Sequence, residues 1–114
     1  MALDRRLIGI RIDMATKHAL LESIEACIDI SNHIISAKGF RRSVDYKDVF
    51  EVLKEERIIS KKLAERLKEM AKFRNVLVHK YAIVDKKRLL RIMKKDIKDI
   101  EQFIKEIMKQ IKSN

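Results

Sequence analysis

Four side chains near the middle of the chain, Arg74, Asn75, His79 and Tyr81, are of types that can act on a phosphodiester. A neutral imidazole, titrating near about 6.5, can take the proton from a ribose 2′-hydroxyl. A fixed guanidinium can stabilise the charge that builds on the attacked phosphate. Together Arg74 and His79 could cleave RNA without a metal and leave a 2′,3′-cyclic phosphate. Arg74 is conspicuous for its place in the chain. Leu63, Leu67, Met70, Leu77 and Tyr81 recur at steps of three and four, the spacing of one helical face, and Arg74 fills the gap in that seam. A guanidinium on a core-facing stripe is costly unless it is paired or lines a site. Asn75 and His79 lie one turn apart on the adjoining stripe, with Lys72.

The spacing sets a condition on this chemistry. Positions five apart on an ideal helix point ~140° away from each other, so Arg74 and His79 do not converge automatically. Either the helix ends near His79 and redirects it, or a second copy supplies the complementary group. A two-fold dimer with the seams facing each other would place two arginines and two histidines in one groove.

The elements that must position these residues are helical. The sequence has no proline and two glycines, Gly9 and Gly39, so it contains few helix breakers. Apolar positions between residues 4 and 37 follow helical spacing, and Gly39 is a stop. Within that helix the run Asp29-Ile30-Ser31-Asn32-His33 is unusually polar. Asn32 and His33 either bond within or between helices or form a polar wall facing the later seam. A basic loop, 39–44, follows. Asp45 reads as the N-cap of a short helix with Val49, Phe50, Val52 and Leu53 inward, and Ser60 as the N-cap of a third helix over 61–79. Asp85 reads as the cap of a last helix to about Lys112, with Leu89, Ile92, Met93, Ile97, Ile100, Ile104, Ile107, Met108 and Ile111 on its apolar face. The expectation is one all-α domain over 1–114, a small bundle of about four helices with short connections.

Composition narrows the function. The formal net charge of +10 favours contact with polyanions, nucleic acid first. The single cysteine, Cys27, excludes an internal disulfide and fits a reducing cytoplasm. No apolar run reaches the ~20 residues that cross a bilayer, and no secretory signal pattern is present, so a cytoplasmic protein is expected. His18, His33 and His79 form no short-spaced metal-binding pair, and no Gly-rich phosphate loop or Gly-x-Ser-x-Gly elbow occurs. Neither metal nor cofactor is expected. Aromatic residues are only 5%, a poor supply of stacking platforms for bases.

The run Arg74-Asn75-Val76-Leu77-Val78-His79-Lys80-Tyr81 resembles the Arg-x4-His-x-Tyr signature of HepT-like proteins in the HEPN superfamily. Glu25 to Ile35 and Tyr46-Lys47-Asp48-Val49-Phe50 resemble other stretches of that family, and the likeness runs from about Ala15 to Ile107. The resemblance implies a helical-bundle homodimer with a composite cleft of Arg and His from both subunits. It implies a toxin-type, metal-independent RNase encoded beside a small nucleotidyltransferase antitoxin that silences it by transferring AMP to the motif tyrosine. Carried onto this chain, Arg74 and His79 would be catalytic. Asn75 would be the polar residue that commonly follows the motif arginine, and Tyr81 the modification site. Many relatives have a longer N-terminal helical segment ahead of the aligned part, which leaves the start site and the dimer surface open.

Two other functions stay open at this point. One is a non-catalytic binding subunit of a nucleotidyltransferase complex. The other is a bundle that binds nucleic acid through charge alone. The motif residues also have structural readings: Arg74 paired with a carboxylate inside the bundle, His79 as a helix C-terminal cap, and Tyr81 as core.

Overall fold

The described residues form four helices: α1 (Arg5–Lys38), α2 (Asp48–Glu55), α3 (Lys61–His79) and α4 (Lys86–Lys112). The computed structural model describes residues 5–79 and 86–112, and the side chains of 14–75, 77 and 87–112. No strand occurs among them. The expected all-α bundle is the observed fold. The helix boundaries match the sequence reading to within three residues, and the expected Asp85 cap lies outside the described residues.

Helix ends follow local chemistry. Gly39 takes φ +66, and the amides of Gly39 and Phe40 return to the carbonyls of Ser36 and Ile35. This is a Schellman stop, where glycine accepts the left-handed backbone without a Cβ penalty. α2 ends in the same pattern, with the amides of Arg57 and Ile58 donating to the carbonyls of Lys54 and Leu53. Here the left-handed position is filled by Arg57 at φ 59, a stop that its residue type does not advertise. Ser60 caps α3 as expected, its Oγ accepting from the Leu63 amide at 3.2 Å. Asp45 also caps, accepting from the amides of Lys47 and Asp48, but it closes a turn ahead of α2, which starts at Asp48.

The core lies where α1, α2 and α3 meet. Leu20, Ile24, Cys27, Ile28 and Ile35 come from α1, all four expected residues of α2 are fully buried, and α3 contributes Leu63, Ala64, Leu67, Met70, Ala71 and Leu77. The polar run in α1 is partly explained: Ser31 is buried and its Oγ donates to the Cys27 carbonyl at 2.8 Å. Asn32 and His33 are exposed and face solvent, not the α3 seam. Leu63, Leu67, Met70 and Leu77 of the α3 seam are buried inside one chain, so these four are not free to face a second copy as expected, whereas Arg74 keeps an exposed side.

α4 departs most from expectation. Its inward residues are Leu89 and Phe103, with Met93, Ile100 and Ile107 half-buried against the core. Ile97, Ile104, Met108 and Ile111, expected on the inner face, are 44–60% exposed. The helix runs opposite to α3, and the Glu106 carboxylate accepts from the Ser60 amide at 2.7 Å.

Two carboxylates turn inward instead. Asp96 and Asp99 are buried on α4, and each has an oxygen without a hydrogen-bond partner among the described residues. Arg66 Nε lies 3.4 Å from Asp99. Burial, helped by the Asp99 charge, pushes the Asp96 carboxyl from its ordinary 3.8 up to about 6. A folded-state value above the unfolded one favours the protonated form. That contribution is fully present below pH ~4 and is lost as pH rises through about 6. Asp96→Asn is therefore expected to stabilise the protein at pH 8 by ~1–3 kcal/mol and to leave pH 4 nearly unchanged. Urea denaturation at the two pH values checks this; a loss of stability at pH 8 would contradict it.

Candidate active site

α3 carries Arg74 to the side of the bundle where α1 passes. The side chain is 30% exposed, which places it between core and solvent, as its position in an otherwise apolar seam requires. Glu25 of α1 meets it. One carboxylate oxygen accepts from Arg74 Nε at 3.1 Å and from Nη2 at 2.8 Å. The 49 residues between the partners put this contact beyond the reach of helix-spacing arguments.

The guanidinium lies over the ring of Tyr46, in the turn before α2, with Arg74 Cζ 5.6 Å from the ring centroid. Asn75 donates from Nδ2 to the Tyr46 hydroxyl. Four residues from three parts of the chain thus form one connected group. Glu25, Ile28, Asp29, Tyr46 and Arg74 line a shallow pocket of about 230 Å³. Asp29 stands one helical turn beyond Glu25 and is exposed at its edge.

The structure brings Arg74 to this pocket, and Asn75 reaches it only through its bond to Tyr46. His79 is the last residue of α3, and its side chain lies outside the described residues, as does the whole of Tyr81. The sequence reading missed Glu25 and Tyr46 as site residues. Both sat inside stretches that carried the family likeness, which was the available signal.

Other chemistries are poorly served. The Cys27 thiol is 3% exposed, and burial pushes it up to about 11, which withholds the reactive thiolate. Among the described residues no group of three His, Cys, Asp or Glu could hold a metal ion. No described helix is long and apolar enough to cross a membrane. The basic loop 39–44 is less available to polyanions than its composition suggests. Arg41 forks onto Asp48 at 2.7 and 3.1 Å and also bonds Glu55 at 2.8 and 3.1 Å.

A family model described as Ribonuclease HepT-like matches residues 8–107. The mRNA nuclease HepT of Shewanella oneidensis is 34% identical over 80 residues, covering 70% of this chain and 60% of that protein. A protein of Archaeoglobus fulgidus is 48% identical over 71 residues, covering 62% of this chain and 53% of its own length. The chain thus spans little more than half the length of these curated relatives. A toxin–antitoxin complex crystallised with AMP-PNP superposes with TM-score 0.79 at 28% identity, covering 86% of this chain and 74% of that one. A tri-AMPylated Shewanella oneidensis HEPN toxin, in complex with its MNT antitoxin, gives TM-score 0.79 at 29% identity over 87% and 74% of the two chains. With the Arg-x4-His-x-Tyr run inside the matched span and a shared four-helix fold, the chain belongs to the HepT-like family of the HEPN superfamily.

Proposed function

We propose that the protein is a metal-independent endoribonuclease of the toxin type, held in check by a partner nucleotidyltransferase. The observation that carries this reading is Arg74. It is a guanidinium on a core-facing stripe, paired with Glu25 at a pocket edge, inside the signature of a family with nuclease members. In the proposed reaction the ribose 2′-oxygen attacks phosphorus, and His79 takes its proton. Arg74 stabilises the charge on the phosphate oxygens. The bond to the 5′-oxygen breaks, leaving a 2′,3′-cyclic phosphate, and that oxygen takes a proton from the second copy's His79. A homodimer built around the Arg74 side of the bundle supplies this second histidine and satisfies the five-residue spacing. The +10 charge draws RNA towards it.

Control falls to Tyr81. AMP on its hydroxyl would bring bulk and a phosphate next to Arg74, excluding RNA by both. Co-expression with an adjacent minimal nucleotidyltransferase is expected to add the mass of AMP and to abolish RNA degradation by the purified protein. Tyr81→Phe is expected to remove the Tyr81 adduct and to leave degradation unchecked. An adduct mapped only to other residues would overturn Tyr81 as the control point.

The Glu25 ion pair favours a second reading. If Arg74 serves only to bridge α1 and α3, the chain is a non-catalytic partner of the nucleotidyltransferase. Arg74→Ala would then lower stability, and no RNA cleavage would exist to lose.

A further inference from the structure

A guanidinium has two edges that can fork onto an oxyanion, one through Nε and Nη2 and the other through Nη1 and Nη2. In Arg74 the first edge belongs to Glu25, whose Oε1 accepts from both nitrogens at 3.1 and 2.8 Å. The Arg74 Cζ lies over the Tyr46 ring, 5.6 Å from the centroid. Tyr46 is tied back to α3 by the amide of Asn75, the residue next to Arg74. Among the described residues Nη1 has no hydrogen-bond partner. The ion pair to Glu25 and the Tyr46 ring together restrain where the guanidinium sits.

We infer that Glu25 and Tyr46 are positioning residues for Arg74, holding its Nη1 edge available to a phosphate oxygen, and that Asn75 acts through Tyr46. This rests on the ribonuclease reading and deepens it. An arginine free to sample its rotamers must be ordered during the reaction, whereas one already clamped by a carboxylate and a ring need not be. Glu25 serves better here than a lysine-paired surface carboxylate would. It takes the side of the fork that leaves the terminal nitrogen clear. The Tyr46 ring adds a second restraint, because a cation is attracted to the face of the ring it lies over. Asn75, on the sequence evidence a polar accessory to the motif, has its described contact with Tyr46 and none with Arg74.

The test uses a fluorogenic single-stranded RNA and the full chain. Glu25→Gln keeps size and one acceptor oxygen, and is expected to lower kcat by roughly 10–100-fold with KM nearly unchanged. The double variant Glu25→Gln/Arg74→Ala is expected to be no slower than Arg74→Ala alone, since Glu25 acts only through the guanidinium. Tyr46→Phe and Asn75→Ala remove the same hydrogen bond, so their smaller losses are expected to match and not to multiply. A readout independent of turnover is the Arg74 Nε–H signal in a ¹H–¹⁵N spectrum. It is expected to exchange slowly in the wild type and to be lost to fast exchange in Glu25→Gln. Full kcat in Glu25→Gln beside an inactive Arg74→Ala would overturn the positioning role alone. So would losses that multiply in the double variant. Full activity in Arg74→Ala would overturn the site itself and the positioning role with it.

Discussion

Arg74→Ala is expected to lower the rate of RNA cleavage by about 10²–10³-fold, the usual cost of removing one preorganised donor from a developing oxyanion. His79→Ala is expected to cost about as much or more, through loss of the proton acceptor. The two losses should leave the fold intact for different reasons. Arg74 is 30% exposed and its partner Glu25 44%, so their ion pair is screened and contributes little to stability. His79 is the last residue of α3, where helix propensity counts least. Initial rates on a fluorogenic RNA, with circular dichroism melts of the same preparations, separate chemistry from folding. Melts that fall in step with the rates would assign Arg74 to the scaffold.

The largest expected effect on stability lies on α4. Phe103 is 1% exposed and meets Phe50 edge to face, with centroids 6.2 Å apart and planes at 87°. Phe103→Ala is expected to cost ~3–5 kcal/mol, from lost apolar burial and the cavity left behind. That is a large part of the total for a domain of this size, so the variant should unfold in mild urea or fail to accumulate. Ile104→Ala, one residue further on and 50% exposed, is expected to change stability by no more than about 0.5 kcal/mol. Urea midpoints for the pair check the orientation of α4. Equal losses would mean that the helix is rotated from the observed face.

That contrast shows where the sequence was legible and where it was not. α3 was easy, because its seam has a single apolar face and Arg74 interrupts it at a defined register. α2 was easy for the same reason, with Val49, Phe50, Val52 and Leu53 all buried. α4 has two candidate faces. Leu90, Met93, Ile97, Ile100, Ile104, Ile107 and Ile111 follow steps of three and four without a break. The face that reaches the core, Leu89, Met93, Asp96, Ile100, Phe103 and Ile107, shares only part of that stripe and is interrupted by a carboxylate, so periodicity wrongly places Ile97, Ile104 and Ile111 inside. Only packing against the other helices decides between them, and packing is not a local property of sequence.

The site divides in the same way. Arg74 and Asn75 were recognisable from residue type and spacing, and the motif gave His79 and Tyr81 their expected roles. Glu25 and Tyr46 were not, since their contacts with α3 span 49 and 29 positions in the chain. A carboxylate on a charged helix and a tyrosine in a turn have many ordinary explanations. Their role follows from the crossing of α1 over α3 and from the turn that α2 brings beside it. Arg57 shows the limit at the scale of one residue, because the left-handed stop it provides is usually announced by glycine.

The most direct test of the proposed activity is the chemistry of the cut ends. The purified protein is incubated with 5′-labelled single-stranded RNA in excess EDTA, beside Arg74→Ala, and the products are resolved before and after opening of cyclic phosphates with acid. Transfer to phosphorus from the 2′-oxygen, aided by Arg74 and His79, predicts fragments ending in 2′,3′-cyclic phosphate, with new 5′-hydroxyl ends, and a loss of about 10²–10³-fold in the variant. Fragments ending in 3′-hydroxyl, cleavage that appears only with a divalent ion, or equal cleavage by Arg74→Ala would contradict it.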